Sequence, residues 1–413
     1  MARTTRRIRR PALLLTSMLV VASACNDTTG PPAPLEQLPR QLTVQEREII
    51  TASNDFAFRL LREVVSHGGT GENVFISPYS VSMALGMTLN GAAGGTYEAM
   101  RETLGFGGLE QTRINESYRD LTSLLLALDE RTELRIANSV WARAGHPFRE
   151  SFFSAVRDYF GATARELDFG APDAVDVING WVSDATNGRI EDIVRKITPQ
   201  HLMFLINAVY FKGQWTNQFD PARTRPSAFQ VGAGDGVEVE TMHADVRAGL
   251  FDTGGGVVGG ELPYGNQAFT MVLALPPADG SVDDLVEELD ATTWEGWMDA
   301  VAYIDDVAVA LPRWEMEYEA RLDTALIDMG MDVAFSGAAD FTRLTPSGGY
   351  IGEVRHKTFL KVDEEGTEAA AATSVSIEQS LGPHLFVDRP FLVAIRERFS
   401  GAILFIGLVR DPR

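Results

Sequence analysis

Apolar residues recur three and four apart from residue 43 to residue 66 (TVQEREIITASNDFAFRLLREVVS), the spacing of one helix face. The same period runs through 79–105, where Gly91, Gly94 and Gly95 interrupt it, and through 149–162 and 174–194. Other stretches have a different texture. HLMFLINAVYFKG (201–213) is almost continuously apolar and predicts a buried strand. NVFISP (73–78), FTMVLALPP (269–277) and DDVAVALPRW (305–314) predict strands stopped by proline. ARLDTALIDMGM (320–331) predicts a helix with Gly330 near its end, and HKTFLKVD (356–363), PFLVAIRE (390–397) and AILFIGLV (402–409) predict three late strands. Helices dominate early and strands late, without a βαβ rhythm or an internal repeat, which favours an α+β fold.

The first residues follow none of these patterns. MARTTRRIRRP carries five arginines and no acid, and ALLLTSMLVVA follows as an apolar run too short to span a bilayer. Small residues then lead into Cys25, the single cysteine of the chain. Residues 1–24 read as a bacterial lipoprotein signal, after which Cys25 is lipidated and becomes the new N-terminus. Ordinary signal-peptidase cleavage nearby is the alternative, and the pair Arg6 and Arg7 fits a twin-arginine route. The chain is therefore expected to be exported, either anchored to a membrane through a lipid at Cys25 or extracellular. Residues 25–43, rich in proline, read as a flexible tether, and the folded domain is expected over 44–413.

Charge narrows the partners. The 413 residues carry a net charge of −21, and removing residues 1–24 with their five arginines takes this to −26. No basic run occurs beyond the N-terminus, which argues against nucleic acid, heparin-like polyanions and anionic lipid surfaces as partners. Catalytic signatures are missing: there is no HExxH, GxSxG or P-loop, and no cysteine pair. The six histidines stand at no metal-ligand spacing from one another, so no metal or cofactor is expected. Gly254 to Gly259 matches GxGxxG, but no long apolar strand precedes it and no helix follows, so a glycine-rich hairpin loop is the expectation.

One stretch points in two directions. DEEGTEAAAATSVSIEQSLGPHLF (363–386) opens with acids and four alanines, as a helix would, and continues with β-prone residues. From Thr367 the odd positions are Thr367, Ala369, Ala371, Thr373, Val375 and Ile377, all small or apolar. The even positions are Glu368, Ala370, Ala372, Ser374, Ser376 and Glu378, which hold every charge and both serines. Period two is the signature of a strand with one buried side. A helical turn followed by an edge strand, or a segment that lives in two states, would both fit.

EEGTEAAAAT (364–373) resembles the proximal hinge of the reactive-centre loop of inhibitory serpins. Five further stretches resemble serpin motifs in the family's order: NVFISPYSVSMALGMTLNGAAGGT (73–96), FLINAVYFKGQW (204–215), GGELPY (259–264), MGMDVAFSGAADFT (329–342) and DRPFLVAIRERFSGAILFIGLVRDP (388–412). HKTFLKVD leads directly into the hinge, and the resemblance spans roughly residues 44–413. It implies the serpin fold: about nine helices, three β-sheets and an exposed reactive-centre loop. It also implies an activity that is not enzymatic. A target endopeptidase cleaves the loop, is held as an acyl-enzyme, and is displaced as the loop inserts into the large sheet. The small residues of the odd parity then have a purpose, because inserted side chains facing the core must be small.

The resemblance assigns residues. The hinge is Glu364, Glu365, Gly366, Thr367, Glu368, Ala369, Ala370, Ala371, Ala372 and Thr373. Ser77, Ser80, Asn207 and His356 match the polar shutter in the middle of the large sheet, though satisfied core polar groups would look the same. Trp215 matches the breach where the loop first enters, and Arg313 matches the basic partner of Glu364. The scissile bond falls among Gln379, Ser380 and Leu381. No Lys or Arg lies between Glu364 and Asp388, so elastase-, chymotrypsin- or subtilisin-like targets are expected rather than trypsin-like ones, with a cysteine protease as a further option. A monomer is expected. The alternative is a non-inhibitory member of the family, acting as an extracytoplasmic binding or chaperone-like protein. Bulky, charged or proline residues on the inward parity would mark that alternative, and none occur. Nothing in the sequence supports a hydrolase.

Overall fold

The structure, a computed structural model, describes Met1 and residues 33–68, 71–231, 236–366 and 382–413. The chain divides into Met1–Pro31 and a body, Pro32–Arg413, which holds all the described helices and strands. The first third of the body contains α1 (Val44–His67), β1 (Val74–Ile76), α2 (Pro78–Leu89), α3 (Gly94–Thr103), α4 (Gln111–Leu126) and β2 (Thr132–Arg143). Then come α5 (Glu150–Phe160), β3 (Thr163–Leu167), α6 (Ala174–Ala185), β4 (Met203–Gly213), β5 (Arg225–Gln230), β6 (Gly236–Asp252), β7 (Val258–Pro263) and β8 (Phe269–Leu275). The last third holds α7 (Val282–Glu288), α8 (Ala291–Ala300), β9 (Ala302–Pro312), β10 (Trp314–Arg321), α9 (Asp323–Leu326), β11 (Arg355–Val362), β12 (His384–Phe386), β13 (Phe391–Glu397) and β14 (Ile403–Val409).

Local chemistry sets several of these ends. The Thr43 hydroxyl accepts from the Glu46 amide while the Glu46 carboxylate accepts from the Thr43 amide, a capping box that starts α1. The arginine before it is recruited too: Arg40 Nη1 donates to Glu46 Oε2 at 2.8 Å, and Arg40 Nη2 donates to the Asp120 carbonyl. The Leu35 amide reaches the Asn266 carbonyl at 2.7 Å, so the chain is docked on the body well before residue 43, where the flexible tether was expected to end. The helical pattern of 174–194 stops early, at Ala185. Asn187 and Gly188 take φ of 52° and 75°, left-handed values that no helix continues through. The helix expected over 320–331 is mostly not α-helical either. β10 runs through Arg321, and after α9 the residues Ile327–Met331 form a π-turn containing Gly330 at φ 103°.

Among the described residues there are nine α-helices, and the strands fall into three hydrogen-bonded sheets. A nine-stranded sheet runs β1-β14-β13-β8-β7-β6-β9-β12, with β5 on β6. Every residue of β8, β13 and β14 is buried, which is why they read as unbroken apolar runs. Gly407 has to be glycine here, because a Cβ would stand 2.0 Å from the Val74 carbonyl of the neighbouring β1. The glycine-rich loop expected from Gly254 to Gly259 is the hairpin connection between β6 and β7, except that Val258 and Gly259 already belong to β7.

The other two sheets are short and adjacent. β2 pairs with β3 in parallel and with β4 antiparallel, and β10 pairs with β11 antiparallel. β4 and β11 are neighbours, yet among the described residues no strand pairing joins them. A seam separates the two sheets. α2 lies against β4, and a second, smaller core of Trp141, Phe169, Ile178, Val182, Ile206 and Ala208 fixes α6 on β2 and β4.

Candidate functional site

The seam has a top and a middle, and each is built by residues from distant parts of the chain. At the top, β11 ends at Val362 and the chain reverses within four residues. The Asp363 amide donates to the Gly366 carbonyl at 2.9 Å, and the Gly366 amide donates back to the Asp363 carbonyl at 3.2 Å. Gly366 then forms an antiparallel bridge with Gln214, just past the end of β4. Its φ is 140°, and a Cβ there would stand 2.1 Å from the Gly213 carbonyl, so only glycine closes this turn. The chain leaving β11 thus reverses, and at Gly366 it lies antiparallel to Gln214, beside the end of β4.

Trp215 holds that turn. Its indole N–H donates to the Asp363 carbonyl at 2.9 Å, and its amide donates to the Glu365 carbonyl at 2.8 Å. The ring is buried and stacks on Tyr264 with centroids 4.5 Å apart. Arg313 is near Glu364, with Nη1 3.6 Å from Oε1, but the closer partner is Thr224, whose hydroxyl donates to the same oxygen at 2.6 Å. Sequence reading missed Thr224, which lies 140 residues away from Glu364 and carries no local signal. Glu365 is buried with neither carboxylate oxygen hydrogen-bonded. Burial, and then the neighbouring Asp363, hold its carboxyl above the usual range.

In the middle, both edges of the seam are tied to the first turn of α2. On the β11 side, the Ser77 amide donates to His356 Nε2 at 2.9 Å, and the Ser77 hydroxyl donates to the Leu404 carbonyl at 2.7 Å. An imidazole nitrogen that accepts belongs to a neutral ring. Complete burial agrees, pushing the His356 pKa down to about 4. On the β4 side, the Ser80 hydroxyl donates to Asn207 Oδ1. Asn207 Nδ2 donates to Asn138 Oδ1 at 2.6 Å, and Asn138 Nδ2 donates to the Phe160 carbonyl at 2.8 Å. The four expected shutter residues are therefore brought together as two pairs sharing one helix turn. No hydrogen bond between Asn207 and His356 occurs among the described residues. Asn138, opposite Asn207 in the β2–β4 register, was missed by sequence reading. It becomes visible only once that register is known.

Beneath the shutter the seam widens into a cavity of about 600 Å³, floored by Ala84 and Leu85 of α2 and walled by Phe204 and Ile206 on one side and Ile351 and His356 on the other. Hinge residues Thr367, Glu368, Ala369, Ala370, Ala371, Ala372 and Thr373, the scissile candidates Gln379, Ser380 and Leu381, and Cys25 lie outside the described residues.

The chain matches the family model described as Serpin (serine protease inhibitor) over residues 51–412. It belongs to the serpin family. It is 33% identical to an uncharacterised serpin-like protein of Thermococcus kodakarensis, over 98% of this chain and all of that protein. The native-state structure of the thermophilic serpin tengpin superposes with a TM-score of 0.80 at 30% identity, covering 93% of this chain and 98% of that one. Human thyroxine-binding globulin, solved with its hormone bound, gives the same TM-score at 28% identity over 89% of this chain and all of that one. The fold is the expected serpin fold, and members of this family are generally protease inhibitors rather than enzymes.

Proposed function

We propose that this serpin traps a serine endopeptidase by inserting its cleaved loop into the seam between β4 and β11. One observation carries the reading: the chain leaving β11 reverses at Glu364–Gly366 and bridges to the end of β4, at the mouth of a seam whose two strand edges lack a described partner. Unpaired edges are templates for a strand. A segment entering antiparallel to β4 would pair with both edges, because β4 and β11 each end at this pole.

In this reading the protease serine attacks the carbonyl carbon of the residue before the cut, among Gln379, Ser380 and Leu381. The peptide C–N bond breaks, the new amino terminus departs with the C-terminal segment, and an ester links loop to protease. Insertion then competes with hydrolysis of that ester. Ordering ~12–15 residues as a central strand forms about that many hydrogen bonds at ~0.5–1.5 kcal/mol net each, a gain on the order of 10 kcal/mol. Only a kinetic barrier withholds it before cleavage. The absence of Lys and Arg between Glu364 and Asp388 supports an elastase-, chymotrypsin- or subtilisin-like target. The patterns at residues 1–25 support export with a lipid anchor at Cys25.

The mature protein should form a denaturant-resistant band at the summed mass with elastase, chymotrypsin or subtilisin, and none with trypsin. Thr367→Arg, which puts a charge at the first inserted position, should turn the protein into a substrate that is cut without trapping. Cleavage of the wild-type chain without any such band would contradict the proposal and leave the binding-protein alternative.

A further inference from the structure

Apart from the seam, the last turn of α1 meets the π-turn Ile327–Met331. Glu63 and His67 are four residues apart on α1, which puts both side chains on one face. Asp328 reaches the same point from the π-turn. His67 Nε2 lies 2.9 Å from Asp328 Oδ2 and 3.7 Å from Glu63 Oε2, and the three donor atoms all fall within 4.8 Å of one another. The His67–Asp328 contact alone is an ordinary exposed hydrogen bond. It does not account for a second carboxylate directed at the same nitrogen.

Charge explains why a third party fits. Two carboxylates converge where the final carbonyls of α1 add partial negative charge. The chain as a whole is strongly acidic, at −21. A divalent cation between the three groups removes the repulsion. The donor set is one imidazole nitrogen and two carboxylate oxygens, which suits zinc better than calcium or magnesium, since those prefer all-oxygen shells. Tetrahedral zinc with bonds near 2.0–2.2 Å places its ligands roughly 3.3–3.6 Å apart; the 3.7 Å His67–Glu63 separation is close to that spacing, and the 2.9 Å His67–Asp328 hydrogen bond would have to open slightly to admit the ion.

We propose that Glu63, His67 and Asp328 form a binding site for a zinc-class divalent cation, with water in the fourth position. None of the three side chains is buried, so the ion has access from solvent. Bound there, the ion would cross-link α1 to the turn after α9. Histidine pairs do not reveal such a site, because its partners are carboxylates and one of them is 261 residues from His67.

The test is titration of the chelator-treated full chain with ZnCl2 by calorimetry, backed by the visible spectrum of the cobalt-substituted protein. One ion per chain is expected, with a rise in the melting temperature of the wild-type protein. His67→Gln, Asp328→Asn and Glu63→Gln should each weaken binding by roughly tenfold or more and reduce the thermal gain. Circular dichroism of each apo variant separates a folding defect from a lost ligand, and the isosteric Glu63→Gln and Asp328→Asn changes keep the shape of the side chain they replace. Stoichiometry well below one, or wild-type affinity retained in all three variants, would overturn the assignment.

Discussion

In the nine-stranded sheet, β13 is paired on both sides, to β8 and β14, and all of its residues are buried. In the split sheet, β4 and β11 have a described partner on one side only, and Met203, Phe204 and Leu205 at the start of β4 are only half-buried. β13 and β4 are both largely apolar in sequence. They differ in whether every edge is satisfied. Under the proposed insertion, an interior strand such as β13 belongs to the frame, and the seam between β4 and β11 receives one more strand. The polar groups follow the same division. The shutter pairs Ser77–His356 and Ser80–Asn207 lie at the seam, each anchored to α2 and not to the other.

The contrast can be broken by substitutions on either side of it. The largest effect should come from the frame: Ile395→Ala removes a fully buried side chain from β13 and should cost about 4 kcal/mol of global stability by urea denaturation. The fraction of folded protein that traps protease should be unchanged. A large change in trapping would mean that the frame takes part in insertion.

Next comes acid. His356 has its folded pKa lowered from 6.5 to about 4, so its contribution is complete above pH 6.5 and is lost as pH falls through 4. The difference corresponds to roughly 3 kcal/mol. Comparing urea midpoints of wild type and His356→Gln at pH 7 and pH 4 should show that the variant loses less. Equal losses would mean that His356 is not held neutral.

Asn207→Ala leaves the buried Asn138 amide oxygen and the Ser80 hydroxyl without their partner, at a cost of ~1–3 kcal/mol. It should lower the melting temperature of the uncleaved protein and hasten loss of trapping on storage. The smallest effect is expected at the hinge ion pair. Arg313 is 45% exposed and 3.6 Å from Glu364, so Arg313→Ala should change stability by less than ~1 kcal/mol. Thr224→Ala, which removes the 2.6 Å hydrogen bond to Glu364, should cost more than Arg313→Ala. The reverse order would show that charge, not the hydroxyl, positions the hinge.

The centre of the frame was legible in the sequence because burial on both faces writes an apolar run into β8, β13 and β14, which were read as strands from that alone. The capping box at Thr43 marks the start of α1 in the same local way. The seam was legible only in part. Ser77, Ser80, Asn207 and His356 were found through motif resemblance, but their division into two pairs was not, since it depends on how β4 and β11 sit against α2. Asn138 and Thr224 escaped because each is an unremarkable polar residue until a partner far along the chain arrives. The early stop of α6 was written in Asn187–Gly188, a dipeptide that favours left-handed backbone, and was overridden in the reading by the apolar period that continues to Val194.

The central claim is that the seam accepts the cleaved loop. The most direct measurement compares thermal unfolding of the intact protein with that of the same protein nicked once between residues 374 and 381 by limited elastase digestion. Insertion worth on the order of 10 kcal/mol should raise the melting temperature by roughly 10–20 °C, with both fragments remaining associated. A nicked protein that melts at or below the temperature of the intact one would contradict the account.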